Sequence, residues 1–131
     1  MAKVQGEDRL KSRKTIEQLF KTGSSFAVFP FRIFYMTKEE DTSPILAGFG
    51  VSARNFKKAV DRNRIKRLTR EAYRLQKPDF YKKLEQTKIQ LSLFIIYTGK
   101  DLPLFELVND KVGKILQRLL NKIDEISTSS A

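Results

Sequence analysis

The segment from Arg54 to Arg74, RNFKKAVDRNRIKRLTREAYR, constrains the fold more than any other part of the chain. It holds nine lysines or arginines against two acids. At about 100° per residue, the spacing of an α-helix, its apolar residues fall within one quarter-turn. These are Ile65, Leu68, Ala72 and Leu75. The opposite side carries Asn63, Lys66, Arg67, Arg70 and Arg74, with Arg62 and Arg64 flanking. The segment therefore predicts a helix that buries one face in a core and turns a cationic face outward.

The overall charge of the chain agrees with this cationic face. The 131 residues carry a formal net charge of +11 at a pI near 10.0. Such an excess indicates a nucleic-acid partner, with an anionic membrane surface as the weaker alternative. No apolar run is long enough for a bilayer span and no secretory signal opens the chain, so we expect a soluble, cytoplasmic protein without a membrane partner.

The periodicity predicts one α+β domain, 1–131, with a core over about 9–122 and loose ends at 1–8 and 124–131. Six elements are expected, in the order α-β-β-α-β-α. The first is a short helix that Ser12 or Thr15 can cap and that Gly23 can end. The three strands are expected at Phe26–Met36, Ile45–Ser52 and Ile89–Tyr97. The basic helix is expected from an N-cap at Asp61 to just before Pro78, and the last helix begins near Asp101 and Pro103. The apolar set of the last helix is Leu104, Val108, Val112, Ile115, Leu116, Leu119 and Ile123.

The first predicted strand carries Arg32 and Phe34 on one face and an interruption at Pro30. Proline cannot donate to a ladder, so an edge or a bend is expected there. An arginine beside an exposed aromatic suits single-stranded nucleic acid, because the ring stacks on bases while the guanidinium meets phosphate. The alternative is that a helix covers Phe34 and that Arg32 is ordinary surface.

The residues that carry enzyme chemistry are missing or dispersed. There is no cysteine and no histidine, which removes thiolate ligands, disulfides and the commonest general base. The acids Glu39, Glu40 and Asp41 fall together in an apparent loop, without a partner acid nearby in sequence. We therefore predict no catalytic residue and no metal ligand in the polypeptide, which binds a large anion instead.

These residues resemble a known family, the protein component of bacterial ribonuclease P. The resemblance rests on AVDRNRIKRLTREAYR preceded by GFGVSARNFKK, above all on Arg62-Asn63-Arg64 followed by Lys66-Arg67 and Arg70-Glu71-Ala72. It extends to Arg9-Leu10-Lys11, to the pattern Phe20…Gly23, to the third strand and to the last helix. About 9–122 is covered.

The resemblance implies an α/β sandwich, a small mixed sheet flanked by three helices, with an unusual left-handed βαβ crossover through the basic helix. It also implies a role in a ribonucleoprotein whose RNA subunit, with bound Mg²⁺, removes the 5′ leader of precursor tRNA. The implied partners are the ribonuclease P catalytic RNA and precursor tRNA, with no protein partner required. The Mg²⁺ would be held mainly by the RNA subunit.

Two sets of site residues follow from the resemblance. The catalytic RNA is expected to meet Arg54, Lys57, Lys58, Arg62, Asn63, Arg64, Lys66, Arg67, Arg70 and Arg74. The single-stranded leader is expected in a cleft between the first helix and the sheet, lined by Ile16, Phe20, Arg32 and Phe34. The chain departs from the family at Ile16, where an aromatic is common, and at Ala53-Arg54, where two lysines are common.

Two alternatives remain open from the residues. One is a structural RNA-binding protein of the ribosome, which would sediment with ribosomal subunits. The other is a protein-only nuclease, which would cleave RNA without an RNA subunit.

Overall fold

The fold was analysed in a computed structural model, which describes residues 13–39, 45–87 and 89–130. These residues form three helices and four strands. In chain order they are α1 (Arg13–Thr22), β1 (Ser24–Val28), β2 (Phe31–Glu39), β3 (Ile45–Val51), α2 (Ala59–Glu85), β4 (Ile89–Tyr97) and α3 (Phe105–Ser130). The predicted loose start 1–8, the Arg9-Leu10-Lys11 motif, the Ser12 cap and the acids Glu40 and Asp41 lie outside the described residues.

The four strands make one mixed sheet in the order β1-β2-β4-β3. β1 and β2 pair antiparallel, as do β2 and β4, whereas β3 and β4 pair parallel. α2 connects the two parallel strands, as a parallel pair requires a long crossover. β4 is an inner strand and is buried along most of its length, with one face apolar throughout and the other carrying the buried polar residues Gln90 and Ser92.

The helices divide between the two faces of the sheet. The face of Ile33, Ile95 and Phe49, which are in register across three strands, packs against α2 and α3 and forms the main core. The opposite face carries Phe34 and Phe94, which contact Phe20 of α1. The molecule is therefore a three-layer sandwich with α1 on one side and the two long helices on the other.

The basic segment is a helix, as predicted, but it is longer than predicted. α2 runs through Pro78 to Glu85. Proline costs helix stability through its missing N–H, yet Phe80 and Leu84 beyond it are buried in the core, and this packing repays the cost. Lys58, not Asp61, occupies the N-cap position and makes no side-chain cap, while Asp61 lies in the first turn, where its charge favours the helix dipole.

The buried face of α2 also differs from the predicted quarter-turn. Ile65 and Ala72 are fully buried, but Leu68 is half-buried and Leu75 is 53% exposed. The completely covered positions include Thr69 and Tyr73, so the buried stripe is rotated toward the sheet. Thr69 is tolerated there because its hydroxyl donates to the carbonyl of Ile65 at 2.9 Å.

The fold class is confirmed, with the first predicted strand divided in two. The segment Phe26–Met36 spans a hairpin whose loop is Phe29-Pro30, closed by the pair Val28 and Phe31. The bend expected at Pro30 is this turn, and its peptide bond is cis. In α3 the predicted apolar set is buried except for Leu104, which precedes the helix and is 76% exposed.

Substitutions along α2 separate its buried stripe from the predicted one. Ile65→Ala should lower the free energy of unfolding by about 2–5 kcal/mol, because it removes a fully buried side chain and leaves a cavity. The matched control Leu75→Ala should change it by less than about 0.5 kcal/mol. Urea denaturation followed by circular dichroism measures both. Equal losses would place Leu75 in the core after all.

Candidate nucleic-acid interface

The outer face of α2 is a dense array of cations. Asn63, Arg64, Arg67, Arg70 and Arg74 are exposed, as the helical spacing predicted, whereas Lys66 of the same predicted face is half-buried. Arg64 and Arg67 are exposed, and their guanidinium groups form no hydrogen bond or ion pair with other described residues. Such groups match phosphate in geometry and charge.

Arg62 differs from its neighbours because it donates hydrogen bonds to backbone carbonyls of the protein itself. It is half-buried, and its Nη1 donates to the carbonyls of Phe56 at 2.9 Å and Lys57 at 2.8 Å. These two bonds hold the loop before α2 against the first turn of the helix. Arg62 therefore positions the exposed Lys57 and Lys58, a role that its place in a basic run did not reveal.

Two further arginines of α2 have partners within the protein. Arg74 makes a two-point contact with Glu71, with distances of 3.0 Å from Nε and 2.6 Å from Nη2. The hydrogen bond from Arg74 lowers the pKa of Glu71 and the same contact raises the pKa of Arg74. The guanidinium of Arg70 lies 5.9 Å from the centre of the Phe49 ring. Arg74 thus offers less free charge than Arg64 or Arg67, although both Arg70 and Arg74 remain exposed.

The second predicted surface, the cleft face, is the sheet face under α1. Its centre is a ring cluster in which Phe20 meets Phe34 edge-on at 4.9 Å and Phe94 at 5.5 Å between centroids. Arg32 stands next to it, 5.8 Å from the Phe34 ring, with its Nη2 donating to Ser25 Oγ at 3.4 Å. Ile16 is half-buried one turn before Phe20 on the same side of α1.

The alternatives for Phe34 and Arg32 are partly decided by this arrangement. Phe34 is half-buried beneath Phe20, while Arg32 and Phe20 are exposed, the latter by 45%. The four predicted cleft residues therefore lie on one face, and aromatic edges and a cation remain accessible there. α1 covers Phe34 only in part.

Phe94 belongs to the cleft face and was missed in the sequence. Strand alternation carries the signal, because Ile89, Leu91, Leu93, Ile95 and Tyr97 share the core face and leave position 94 on the other. Its ring also accounts for the glycine at position 50 in β3. A Cβ at Gly50 would come within 2.8 Å of Phe94 Cε1. The close neighbour at Gly50 is thus an aromatic ring of the same sheet.

Tyr73 lies beneath the cationic face and carries a buried hydroxyl with no hydrogen-bond partner among the described residues. Its ring packs against Phe49 at 5.6 Å between centroids. Burial raises the pKa of Tyr73 well above its ordinary value. By contrast, the hydroxyl of Tyr97 donates to the carbonyl of Asp101 at 2.6 Å.

The described residues were also examined for metal-binding and membrane-spanning features. They contain no group of three or more histidine, cysteine, aspartate or glutamate side chains placed to share an ion. No helix in the described ranges combines the length and apolarity needed to cross a bilayer.

Comparison with known proteins decides the family. The family "Ribonuclease P" matches residues 4–123. This chain belongs to the ribonuclease P protein family. The ribonuclease P protein component of Porphyromonas gingivalis is 32% identical over 117 residues, covering 88% of this chain and 85% of that protein. The protein component of Chlorobium phaeobacteroides is 32% identical over 121 residues, covering 84% and 83%. The resemblance seen in the basic run is confirmed.

Solved structures of the family share the fold. The RNase P protein of Staphylococcus aureus aligns with a TM-score of 0.67 at 19% identity, covering 86% of this chain and 94% of that one. The protein from Thermotoga maritima aligns with a TM-score of 0.65 at 23% identity, covering 84% and 96%. These likenesses support the α+β sandwich. As a ribonuclease P protein component, the chain is part of an endoribonuclease holoenzyme that contains RNA.

The buried phenol gives a prediction for alkaline pH. An unfolded tyrosine ionises near pH ~10, whereas burial keeps Tyr73 neutral in the fold. Its contribution to stability is therefore complete below about pH 10 and is lost as the pH rises further, by up to about 1.4 kcal/mol per pH unit. Tyr73→Phe should make this alkaline fall shallower, as measured by urea denaturation from pH 8 to 11.

A second tyrosine serves as the comparison at neutral pH. Tyr73→Phe should leave stability nearly unchanged, since the lost hydroxyl has no described partner. Tyr97→Phe should cost about 1 kcal/mol, because it removes the bond to Asp101. If the free energy of unfolding of Tyr73→Phe falls as steeply from pH 8 to 11 as that of the native protein, Tyr73 ionises within the fold.

Proposed function

We propose that this chain is the subunit of ribonuclease P that binds the catalytic RNA and the 5′ leader of precursor tRNA, so that the RNA can remove the leader and form the mature tRNA 5′ end. The observation that carries the proposal is the division of α2 between two roles. Ile65, Ala72 and Leu84 are buried, while Arg64 and Arg67 are exposed on the opposite side and form no hydrogen bond or ion pair with the described residues. The cationic outer face of α2, called the basic face below, is thus held in place by the core and accessible to a polyanion.

The catalytic RNA would occupy the basic face. Arg64, Lys66, Arg67 and Arg70 would neutralise phosphates, together with Arg54, Lys57 and Lys58 in and beside the loop that Arg62 fastens. Asn63, exposed between two arginines, would donate or accept hydrogen bonds with RNA.

The leader would occupy the cleft face. A single strand exposes unpaired bases, which stack on aromatic rings, and a regular series of phosphates. Phe20 and Phe34 offer ring surface beside Ile16, and Arg32 stands next to Phe34 as a phosphate ligand. A mature tRNA lacks the leader, so this face would favour the substrate over the product.

The chemistry of cleavage belongs to the RNA in this proposal. Mg²⁺ prefers carboxylate and other oxygen ligands, and the basic face is lined by cations that repel it. The residues of the basic face therefore do not fit a resident Mg²⁺ site, and the ion would be held mainly by RNA phosphates. The polypeptide would act by adding binding energy and by screening the charge between the two RNAs.

Reconstitution tests the proposal directly. A bacterial ribonuclease P RNA should cleave precursor tRNA at a Mg²⁺ concentration too low for the RNA alone once this protein is added. Cleavage should stop when the RNA subunit is left out. No gain over RNA alone would overturn the proposal, and cleavage by the RNA-free chain would favour a protein-only nuclease. No described feature favours the ribosomal alternative.

Charge removal on α2 tests the basic face. Arg67→Ala and Arg70→Ala should each weaken binding of the catalytic RNA by about 1 kcal/mol or more without unfolding the protein. Each should also reduce the slope of log K against log salt by about 0.9 or less. Lys83→Ala is the matched control, because it removes an exposed cation from the last turn of the same helix, outside the predicted face. Filter binding over a salt series measures all three, and an equal loss for Lys83→Ala would contradict a localised face.

A further inference from the structure

An aromatic side chain outside both predicted surfaces has no packing role in the fold. Phe29 is 79% exposed at the tip of the hairpin that joins β1 and β2. Its neighbours Pro30 and Phe31 are buried, so the turn carries one ring outward while anchoring itself with the next two residues. Isolated exposed apolar residues are common, and the surroundings of Phe29 therefore decide whether it does anything.

The turn that carries Phe29 is held firmly. Thr98 donates to the carbonyl of Pro30 twice, from its backbone nitrogen at 2.8 Å and from Oγ1 at 3.1 Å. Asn55 in turn donates from Nδ2 to the carbonyls of Thr98 at 3.0 Å and Gly99 at 3.2 Å. The hairpin tip, the end of β4 and the loop before α2 are thus tied together. A ring presented on such a support loses little conformational entropy when a ligand stacks on it.

The turn lies at the end of β2 nearer to Arg32 than to Phe34. Phe34 and Arg32 alternate along β2, which begins at Phe31, and the four residues from the turn to Phe34 span about 13 Å. Arg32 therefore stands between the Phe34 ring and the turn that bears Phe29. An aromatic, a cation and a second aromatic in this order match the alternation of bases and phosphates along a single strand.

The charge at this end of the sheet favours the same ligand. Tyr97 is in register with Phe31 on one side and with Val51 on the other. The turn before Phe31, the loop after Val51 and the loop after Tyr97 therefore lie at the same end of the sheet. The loops 52–58 and 98–104 contain four cations and one carboxylate, that of Asp101. The cations are Arg54, Lys57, Lys58 and Lys100, all exposed.

We propose that Phe29 is a second stacking platform for the leader, which takes a nucleobase from the same strand that Phe34 contacts, at a different nucleotide. The proposal rests on the function proposed above, in that the cleft face must hold single-stranded RNA. The leader contact at the hairpin tip is separate from the ring cluster under α1. The number of leader nucleotides that the protein binds therefore depends on this turn.

The test uses the reconstituted holoenzyme and precursor tRNAs whose leaders increase one nucleotide at a time. Phe29→Ala should weaken substrate binding by roughly 5- to 100-fold, the worth of one stacked base. The loss should appear only when the leader reaches a certain length. Phe34→Ala should show its own loss at a different leader length, and Phe29→Tyr should bind as the native protein does. Affinity for mature tRNA should be unchanged in all variants.

The outcomes separate this proposal from the one on which it rests. A Phe29→Ala loss that is equal for mature tRNA or for the catalytic RNA would overturn it, because Phe29 would then contact another RNA. The proposal is also overturned if Phe29→Ala loses no affinity for the leader while Phe34→Ala does. In that case the proposed function still stands. If the native holoenzyme gains no affinity from a leader, the leader-binding part of the proposed function fails first.

A fluorescence measurement reports the contact itself. The chain has no tryptophan, so Phe29→Trp creates a single probe at the hairpin tip. Its emission should be quenched by precursors with long leaders but not by mature tRNA. Leu75→Trp, at a position that is 53% exposed in the middle of α2, which packs on the core face of the sheet, should not respond. Equal responses from both probes, or none from Phe29→Trp, would overturn the stacking contact.

Discussion

Burial of one stripe of α2 is the interaction on which the rest of the molecule depends. This helix joins the two parallel strands, and Ile65, Tyr73 and Phe80 link it to the core formed with the sheet and α3. Without that contact neither the crossover nor the outward set of arginines would have a fixed position. The folding energy of the helix is therefore also what orders the charges, and an isolated peptide of the same sequence would present them in many arrangements.

The long, strongly periodic elements could be predicted from the sequence. β4 runs from Ile89 to Tyr97 as expected, because nine residues of alternating and then continuous apolar character have few other interpretations. The errors lie where tertiary packing overrides a local rule. Pro78 stays inside α2 because Phe80 and Leu84 find partners in the core. Leu75 is exposed because Tyr73 packs against Phe49 of the sheet, so the buried stripe of α2 runs through Thr69 and Tyr73. A helical wheel contains no sheet and cannot show this.

The candidate site shows the same limit at the level of single side chains. Exposure of Arg64 and Arg67 follows from spacing alone, and the structure agrees. The bonds of Arg62 to two backbone carbonyls and the pairing of Arg74 with Glu71 depend on where the loop and the next turn lie. Likewise, alternation places Phe94 on the cleft face, but its contact with Phe20 depends on where α1 packs. Sequence spacing identifies which residues share a face, but not which of them are already engaged.

The bonds of Arg62 have a consequence for how a basic surface is dissected. A substitution there removes a positive charge and at the same time releases the backbone at Phe56 and Lys57. Loss of RNA affinity in such a variant would combine two causes that titration with salt separates poorly. Lysine would keep the charge but would replace Nη1, whose two N–H bonds are fixed in the guanidinium plane, by a rotating ammonium group. Arg62 thus supports the loop before α2 as well as adding charge, and alanine scans that score it beside Arg67 would compare unlike quantities.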